Sequence, residues 1–366
     1  MGIMKQLAIL GFLLAILIFS GCPQPPEPPP TGEALELPIS ERSFELGFMA
    51  IPKQPITTDA WFNAFELLRD NGEFVLIHAH IDWLDFVDSS DTVFEIRPQN
   101  LESTNFLSEM AKMYGLKTFI VIDPLEGTNR EEIDAKARML SPELSRLPLF
   151  SDEKLRKAFK NYSVRIARDY KPEYLGLGSE INTYIAKNPE DAENLISLIK
   201  ETIPLVKQVS PNTKITVTFQ FDQLNGTSFS GKTQWDILAS LESKLDLVAI
   251  SSYPSLWFAS PEEIPDNYYS QIKEHTNKPI IMAESGWPTA GAAQYHGSYE
   301  NQNKFLLRFI ALTKDLDLKL WIWWFLHDQP GDGYLDFFRT MGMRTSDGQE
   351  KPAWKTWQSI HALPMK

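Results

Sequence analysis

Short apolar runs alternate with longer amphipathic segments over most of the chain. Eight runs are almost continuously apolar, which is typical of strands buried on both faces of a sheet. These runs cover residues 44–50, 74–80, 117–123, 173–181, 214–221, 246–253, 279–285 and 319–326. Between them, apolar residues recur with the spacing of an amphipathic helix. The clearest of these helical segments are 59–70, 105–114, 152–170, 192–209, 265–275 and 301–316.

This alternation predicts a parallel sheet whose outer face is covered by helices. Eight strand–helix units over about 320 residues fit one closed (β/α)8 barrel, the TIM barrel, and we place it at residues 44–362. The alternative is an open doubly wound sheet with an extra lobe. That alternative is disfavoured because no Gly-rich phosphate loop follows the first strand.

The N-terminus has the composition of a secretory signal. Lys5 precedes an apolar run at residues 7–19, and Ser-Gly-Cys follows at residues 20–22. Cys22 is the only cysteine of the chain. A positive charge, a short apolar stretch and small residues predict a signal peptide over residues 1–21. The Ser-Gly-Cys ending resembles a prokaryotic lipoprotein box, which implies that Cys22 is lipidated. An uncleaved membrane anchor is the alternative.

A Pro-rich segment follows the cysteine. Six of the eight residues at 23–30 are proline, which predicts an extended spacer. We therefore expect residues 22–43 to be a lipidated tether. The protein would then be extracytoplasmic and held on a prokaryotic membrane by its N-terminus.

The charge balance excludes one class of partner. The chain has 35 Lys and Arg residues against 48 Asp and Glu residues, a formal net charge of −13. Nucleic-acid binding calls for a basic surface, so we expect no nucleic-acid partner. Uncharged substrates such as neutral glycans fit this balance. We expect a monomer without a cofactor or a metal ion.

Polar and aromatic side chains collect where the apolar runs end, as a working barrel mouth requires. They are His80, Ser179, Glu180, Asn182, Tyr253, Glu284, Trp323 and Trp324, with Trp287 in the loop after the seventh run. Glu180 and Glu284 follow the fourth and seventh runs, which places them on facing walls of a barrel. Two such carboxyls about 5–5.5 Å apart perform retaining glycoside hydrolysis. An ordinary surface carboxylate is the alternative for each.

Three stretches resemble clan A glycoside hydrolases. KPIIMAESGWPTAG (278–291) resembles the nucleophile signature of family 17, the 1,3-β-glucanases, and family 53 galactanases carry a looser version. LDLVAISSYP (245–254) and MGMRTSDGQEKPAW (341–354) are similar to stretches around the sixth and eighth strands of clan members. The resemblance implies that Glu284 is the nucleophile and Glu180 the acid/base. It also implies that Tyr253 hydrogen-bonds the nucleophile.

The resemblance implies a substrate site as well. Trp324 or Trp323 would floor a sugar subsite, and His80 and Trp287 would line the cleft. One departure concerns Ser179, because clan A enzymes usually carry Asn before the acid/base, where it binds the sugar 2-hydroxyl. Asn182 is a candidate to replace part of that contact. The expected function is retaining hydrolysis of β-linked glycans, β-1,3-glucan-like or β-galactan-like, with transglycosylation as a side reaction.

Two other functions are compatible with a barrel. A degenerate barrel would bind carbohydrate without cleaving it, and the unusual Ser179 favours this alternative. His78-Ala79-His80 resembles the first metal ligands of metal-dependent amidohydrolases, but no histidine ends the fifth or sixth run. We therefore expect His80, with Asp82, to face the cleft and His78 to be a core residue.

Overall fold

The computed structural model describes residues 29–91, 97–127, 130–142, 149–228, 230–292, 295–330 and 333–366. The predicted signal peptide, Cys22 and residues 23–28 of the tether lie outside the described residues. Within the described ranges, no helix combines the length and the apolar character needed to cross a bilayer.

In the described part of the chain, eight parallel strands form a barrel. Their bounds are β1 Glu45–Met49, β2 Phe74–His80, β3 Lys117–Asp123, β4 Tyr174–Gly176, β5 in two segments Lys214–Thr216 and Thr218–Gln220, β6 Val248–Ser252, β7 Ile280–Ser285 and β8 Leu318–Phe325. β1 pairs with both β2 and β8. The first segment of β5 pairs with β4, and the second pairs with β6. Because the two segments are one strand interrupted at Val217, the sheet closes, and the predicted TIM barrel is confirmed.

Helices cover the outside of the barrel. In the described ranges the α-helices are α1 Thr58–Asn71, α2 Gln99–Met113, α3 Glu153–Tyr170, α4 Ile181–Lys187, α5 Ala192–Val209, α6 Phe221–Leu224, α7 Trp235–Glu242, α8 Tyr299–Thr313 and α9 Pro352–His361. Short 3-10 helices lie at Trp83–Phe86, Ala135–Leu140, Pro254–Leu256, Pro261–Glu263, Ser270–Glu274 and Gly333–Phe338. The last of the predicted helices before β7, at 265–275, is therefore a 3-10 turn instead of an α-helix.

Strand alternation divides the core into two layers. One set of side chains, which includes Val75, Ile77 and Trp321, packs between the barrel and the helices. The other, which includes Leu76 and Ile322, fills the barrel interior. This division decides which side chains near the ends of β2 and β8 face the mouth of the barrel.

The fourth strand is much shorter than the predicted run 173–181. β4 ends at Gly176, and Gly178 has φ = 138°, where an added Cβ would lie 2.5 Å from Cγ2 of Ile181. Glu180 itself is left-handed, with φ = 48°, and α4 begins at the next residue. A tight turn, and not the tip of the strand, therefore presents Glu180.

Candidate active site

Glu284 lies near the end of β7, in a segment whose six residues are all buried. Each oxygen of its carboxylate has a polar neighbour. The hydroxyl of Tyr253 donates to Oε2 over 2.9 Å, and Nε2 of His78 lies 3.5 Å from Oε1. The position of Tyr253 agrees with the role that the sequence resemblance implies for it.

His78 was predicted as a core histidine, and this prediction is wrong. It shares a strand face with Leu76, which lines the barrel interior, so its ring lies below the mouth and beside Glu284. Burial lowers the pKa of His78 to about 4. A neutral imidazole at pH 7 carries one N–H, which is available to the carboxylate of Glu284.

Glu180 follows β4 in a left-handed conformation, which costs an ordinary residue about 1–2 kcal/mol. Strain of this kind concentrates at functional sites. The hydroxyl of Ser251, near the end of β6, donates to Oε1 of Glu180. Nε of Arg130 lies 3.6 Å from Oε2. Both oxygens of the carboxylate therefore have a polar neighbour.

Arg130 is a residue of the site that sequence reasoning missed. It follows β3 by seven residues, is buried, and pairs with the fully buried Asp123 at the end of that strand. Its φ is 61°, also left-handed. Sequence spacing gave no signal, because the side chain enters the mouth from an irregular loop and not from a strand end.

Burial is the main cause of the raised pKa values of both glutamates, and the charge of Arg130 lowers both. Burial raises the pKa of Glu180, and the negative charge of Glu284 raises it further. Burial also raises the pKa of Glu284, but the charge of Arg130 and the hydrogen bond from Tyr253 oppose this rise. The charge of Glu284 thus favours the protonated form of Glu180, as a division into one ionised and one protonated carboxyl requires.

The aromatic side chains at the end of β8 point in opposite directions. Trp324 shares the interior face with Ile322, is partly exposed, and meets the ring of His78 edge-on at 5.2 Å. Trp323 is fully buried in the outer layer, where its indole N–H donates to the carbonyl of Met341 over 2.8 Å. Trp324 is therefore placed to contact a sugar, whereas the assignment of Trp323 to substrate is wrong.

Trp287 was also assigned to the cleft, and the structure contradicts this assignment. Its side chain is fully buried and packs against Phe305 of α8, with ring centroids 5.4 Å apart. The backbone carbonyl of Trp287 accepts a hydrogen bond from Gln302 over 2.9 Å. Trp287 therefore fixes the loop after Glu284 to the helix layer.

The structure also gives Asn182 a different role from the one predicted. Its side-chain amide is fully buried and donates to the carbonyl of Gln220 over 3.0 Å and to Oε1 of Gln234 over 2.6 Å. Its Oδ1 accepts from the N–H of Gln220 over 2.8 Å. With these bonds, Asn182 joins the turn after β4 to the end of β5, and both of its amide hydrogens are engaged within the protein.

The remaining predicted residues lie at different depths. His80 is exposed at the mouth end of β2, as expected for a cleft residue. Asp82 does not join it, because both oxygens accept backbone N–H groups at the start of α2, from Asn100 and Leu101. Ser179 is fully buried directly before Glu180, and its hydroxyl has no hydrogen-bond partner among the described residues.

The metal-dependent alternative finds no support in the geometry of the two histidines. His78 is directed at Glu284, and β5 and β6 end in Gln220 and Ser252, neither of which supplies an imidazole. In the described ranges, no group of three or more His, Cys, Asp or Glu side chains is arranged to hold a metal ion.

Residues 150–314, which contain both glutamates, match the model of glycosyl hydrolase family 53. This match covers fewer than half of the 366 residues. No curated protein matches the sequence.

Three solved structures illustrate the likeness of the fold. A variant of GH5_18 from Bifidobacterium longum in complex with Manb1-4GlcNAc has a TM-score of 0.66 and 13% identity, with 88% of this chain and 80% of that chain covered. A family 39 glycoside hydrolase from Bacteroides cellulosilyticus has a TM-score of 0.61 and 16% identity, with 90% and 66% covered. The exo-beta-1,4-mannosidase Op5Man5 from an Opitutaceae bacterium has a TM-score of 0.64 and 13% identity, with 90% and 61% covered. At these identities the likeness shows the fold.

Proposed function

We propose that this chain, a glycoside hydrolase by its family match, cleaves β-linked glycans by double displacement with retention of configuration. Glu284 is the nucleophile and Glu180 the acid/base. One observation carries the proposal. Glu284, which is buried, and Glu180, which is partly exposed, belong to one charge network at the mouth, in which the charge of Glu284 helps Glu180 keep a proton.

In the first step, the ionised carboxylate of Glu284 attacks the anomeric carbon. The bond between that carbon and the leaving oxygen breaks, and Glu180 gives its proton to the oxygen. The hydrogen bond from Tyr253 to Oε2 of Glu284 orients the carboxylate for this attack, and Nε2 of His78 lies 3.5 Å from Oε1. The product of this step is a glycosyl-enzyme.

In the second step, Glu180 removes a proton from water, and the resulting hydroxyl attacks the anomeric carbon and releases Glu284. Because Glu180 has lost the proton that it gave away, its carboxylate is the base that this step needs. A sugar hydroxyl in place of water would give transglycosylation. Two displacements at one carbon restore the β configuration.

The substrate class rests on similarity. Family 53, whose model matches the central region, and the ESGWP stretch, which resembles family 17, point to β-galactan and β-1,3-glucan. The structural neighbours add β-mannosides, since one is an exo-beta-1,4-mannosidase and another binds Manb1-4GlcNAc. Trp324 offers an aromatic face at the mouth for the apolar face of a sugar ring.

The catalytic assignment is tested with Glu180→Gln and Glu284→Gln, which keep the size of each side chain. We expect kcat/KM on the best glycan of a β-galactan, β-1,3-glucan, mannan and xylan panel to fall about 100- to 10,000-fold for Glu180→Gln. Glu284→Gln should lose more, because nothing replaces the nucleophile. Thermal unfolding of both variants serves as the folding control.

A matched substrate separates the two roles. An aryl glycoside with an acidic phenol needs little proton donation, so Glu180→Gln should still form the glycosyl-enzyme from it, whereas Glu284→Gln should not. Proton NMR of the first product should show the β anomer. Full hydrolysis by either variant, or an α anomer as first product, would overturn the assignment.

We also propose that the protein is an extracytoplasmic lipoprotein anchored through Cys22. The support comes from the sequence: the basic and apolar N-terminus, the Ser-Gly-Cys ending and the proline-rich residues 23–30. An anchored enzyme with this barrel would act on glycans outside the membrane. We expect it to act as a monomer.

A further inference from the structure

We propose that Arg130 is a positioning residue that sets the protonation states of Glu180 and Glu284 through its charge. The inference rests on the proposed function and adds a residue that the family resemblance does not assign. Arg130 pairs with Asp123 through Nη1, and its Nε lies 3.6 Å from Oε2 of Glu180. One guanidinium thus joins the end of β3 to the acid/base.

Buried partners fix the position of the Arg130 side chain. The side chain is buried, Asp123 is fully buried, and Asp123 also accepts the backbone N–H of Leu125. A rigid fork of five donors can engage Asp123 and still face Glu180, which a lysine cannot do. The left-handed backbone at Arg130 directs the side chain inward at a cost in strain.

Several charged or titratable groups face this network from the surrounding strands. They are His78 and His80 on β2, Asp123 on β3, Glu180 after β4, Tyr253 after β6, Glu284 on β7 and Asp134 in the loop after β3. Asp123 raises the pKa of both catalytic carboxyls, and Arg130 lowers both. Arg130 has the larger effect of the two.

These opposing charges make a prediction of sign. Removing the positive charge of Arg130 should raise the pKa of both glutamates, and removing the negative charge of Asp123 should lower both. If the ion pair were purely structural, removing either partner would change stability. The two substitutions would not, however, shift the glutamate pKa values in opposite directions. The direction of the pKa shift in each variant therefore distinguishes an electrostatic role of Arg130 from a purely structural one.

The experiment is a carbon-13 NMR titration of the side-chain carboxyls in the whole protein, with signals assigned from Glu180→Gln and Glu284→Gln. We expect both pKa values to rise by about one unit in Arg130→Gln and to fall in Asp123→Asn. The double variant Asp123→Asn/Arg130→Gln, which removes both charges of the ion pair, should show a smaller rise. In each variant, both limbs of the pH profile of kcat/KM should move in the same direction as the pKa values.

Arg42→Gln is the matched control. Arg42 is equally buried and pairs with Glu73, so this variant should lose stability without moving either pKa. Unchanged glutamate pKa values in both Arg130→Gln and the double variant would overturn the proposal. If Arg130→Gln does not fold, the double variant and Asp123→Asn decide. Since the titration needs no substrate, it can fail or succeed independently of the hydrolase assignment.

Discussion

At the scale of single residues, the site depends on how the oxygens of each carboxylate are shared. Tyr253 and His78 approach different oxygens of Glu284, while Ser251 and Arg130 approach different oxygens of Glu180. The charge of Arg130 lowers the pKa of both carboxyls, whereas the charge of Glu284 raises the pKa of Glu180. The effect of Glu284 on Glu180 is the asymmetry that would let two chemically identical groups take different roles.

Tyr253→Phe tests this division. The phenylalanine keeps the ring, which packs on Phe338 with centroids 5.3 Å apart, and removes only the donor to Glu284. A hydrogen bond to a charged group contributes about 1.5–3 kcal/mol, so kcat/KM should fall about 10- to 100-fold. Because this bond lowers the pKa of Glu284, the acidic limb of the profile should move to higher pH.

The alkaline limb should stay in place, because it reports Glu180. This separates Tyr253→Phe from Arg130→Gln, which moves both limbs. Tyr184→Phe is the control, since that buried hydroxyl donates to Asp191 over 2.7 Å. A Tyr253→Phe enzyme whose acidic limb matches that of the wild type would contradict the role given to Tyr253.

Residues at strand ends were predictable, and residues that act from loops were not. Glu284 and Tyr253 follow strongly apolar runs, so the register of a barrel places them at the mouth. Arg130 comes from a loop whose backbone conformation no periodicity encodes. His78 was misplaced because depth along a strand depends on where the barrel interior ends, which the neighbouring strands determine.

At the scale of elements, alternation along β8 separates two adjacent tryptophans that look equivalent in sequence. The face of the sheet on which each side chain of a strand lies follows from its pairing with the neighbouring strands. Trp323 pairs in register with Phe48 of β1, and the two belong to the outer layer of side chains. The sequence predicted the strand β8. Which of its residues face the barrel interior, and therefore that Trp324 and not Trp323 faces the mouth, became clear only from the strand pairing.

The turn after β4 is the second element whose geometry matters. Its apolar residues predict a strand up to 181, yet the strand stops at Gly176. Gly178 permits a backbone that other residues rarely adopt, with φ = 138°, and helix α4 starts after Glu180. Apolar character could not reveal this, because the buried turn and start of α4 are as apolar as a strand.

Asn182→Ala tests whether the hydrogen bonds of the Asn182 side chain stabilise this turn. The substitution removes the hydrogen bonds that Asn182 makes with the N–H and carbonyl of Gln220 and with Oε1 of Gln234. Unsatisfied buried groups cost about 1–3 kcal/mol each, so we expect a loss of about 2–4 kcal/mol in the free energy of unfolding, measured in urea. Since both amide hydrogens of Asn182 are engaged within the protein, KM should change little.

Asn161→Ala is the control, because that amide makes one partly buried hydrogen bond, to the carbonyl of Phe86 over 2.8 Å. Its loss should be smaller. A raised KM with unchanged stability in Asn182→Ala would return Asn182 to the substrate site.

At the scale of the whole molecule, the segment before β1 packs along α9 from its first turn to its end. Gly32 lies beside Pro352, the first residue of α9. The N–H of Leu35 donates to Oγ1 of Thr356 over 3.0 Å, and the N–H of Arg42 donates to the carbonyl of Pro364 over 3.0 Å. In a barrel of this type, helices start at the mouth, so the segment runs from the mouth side to the opposite end.

This path has a consequence for the proposed anchor. Residue 32 lies on the mouth side, so residues 22–31 would join the barrel beside the substrate cleft. Ten residues of extended spacer reach about 31 Å at 3.1 Å per residue. A lipid on Cys22 would therefore hold the mouth within that distance of the membrane surface. The sequence alone predicts a tether, and the packing of residues 32–42 along α9 adds that such a tether would start on the mouth side.

Cys22→Ala tests the anchor in a bacterial host that processes lipoproteins. The wild-type protein should sediment with membranes and partition into the detergent phase of Triton X-114, and the variant should not, because one acyl chain or more adds about 0.8 kcal/mol of membrane affinity per buried CH2. Hydrolysis of a soluble oligosaccharide should be equal for both, since Cys22 lies outside the barrel. Ser20→Thr is the control, because it changes the same stretch and keeps the cysteine. Membrane retention of Cys22→Ala would indicate an uncleaved anchor at residues 7–19 in place of a lipid.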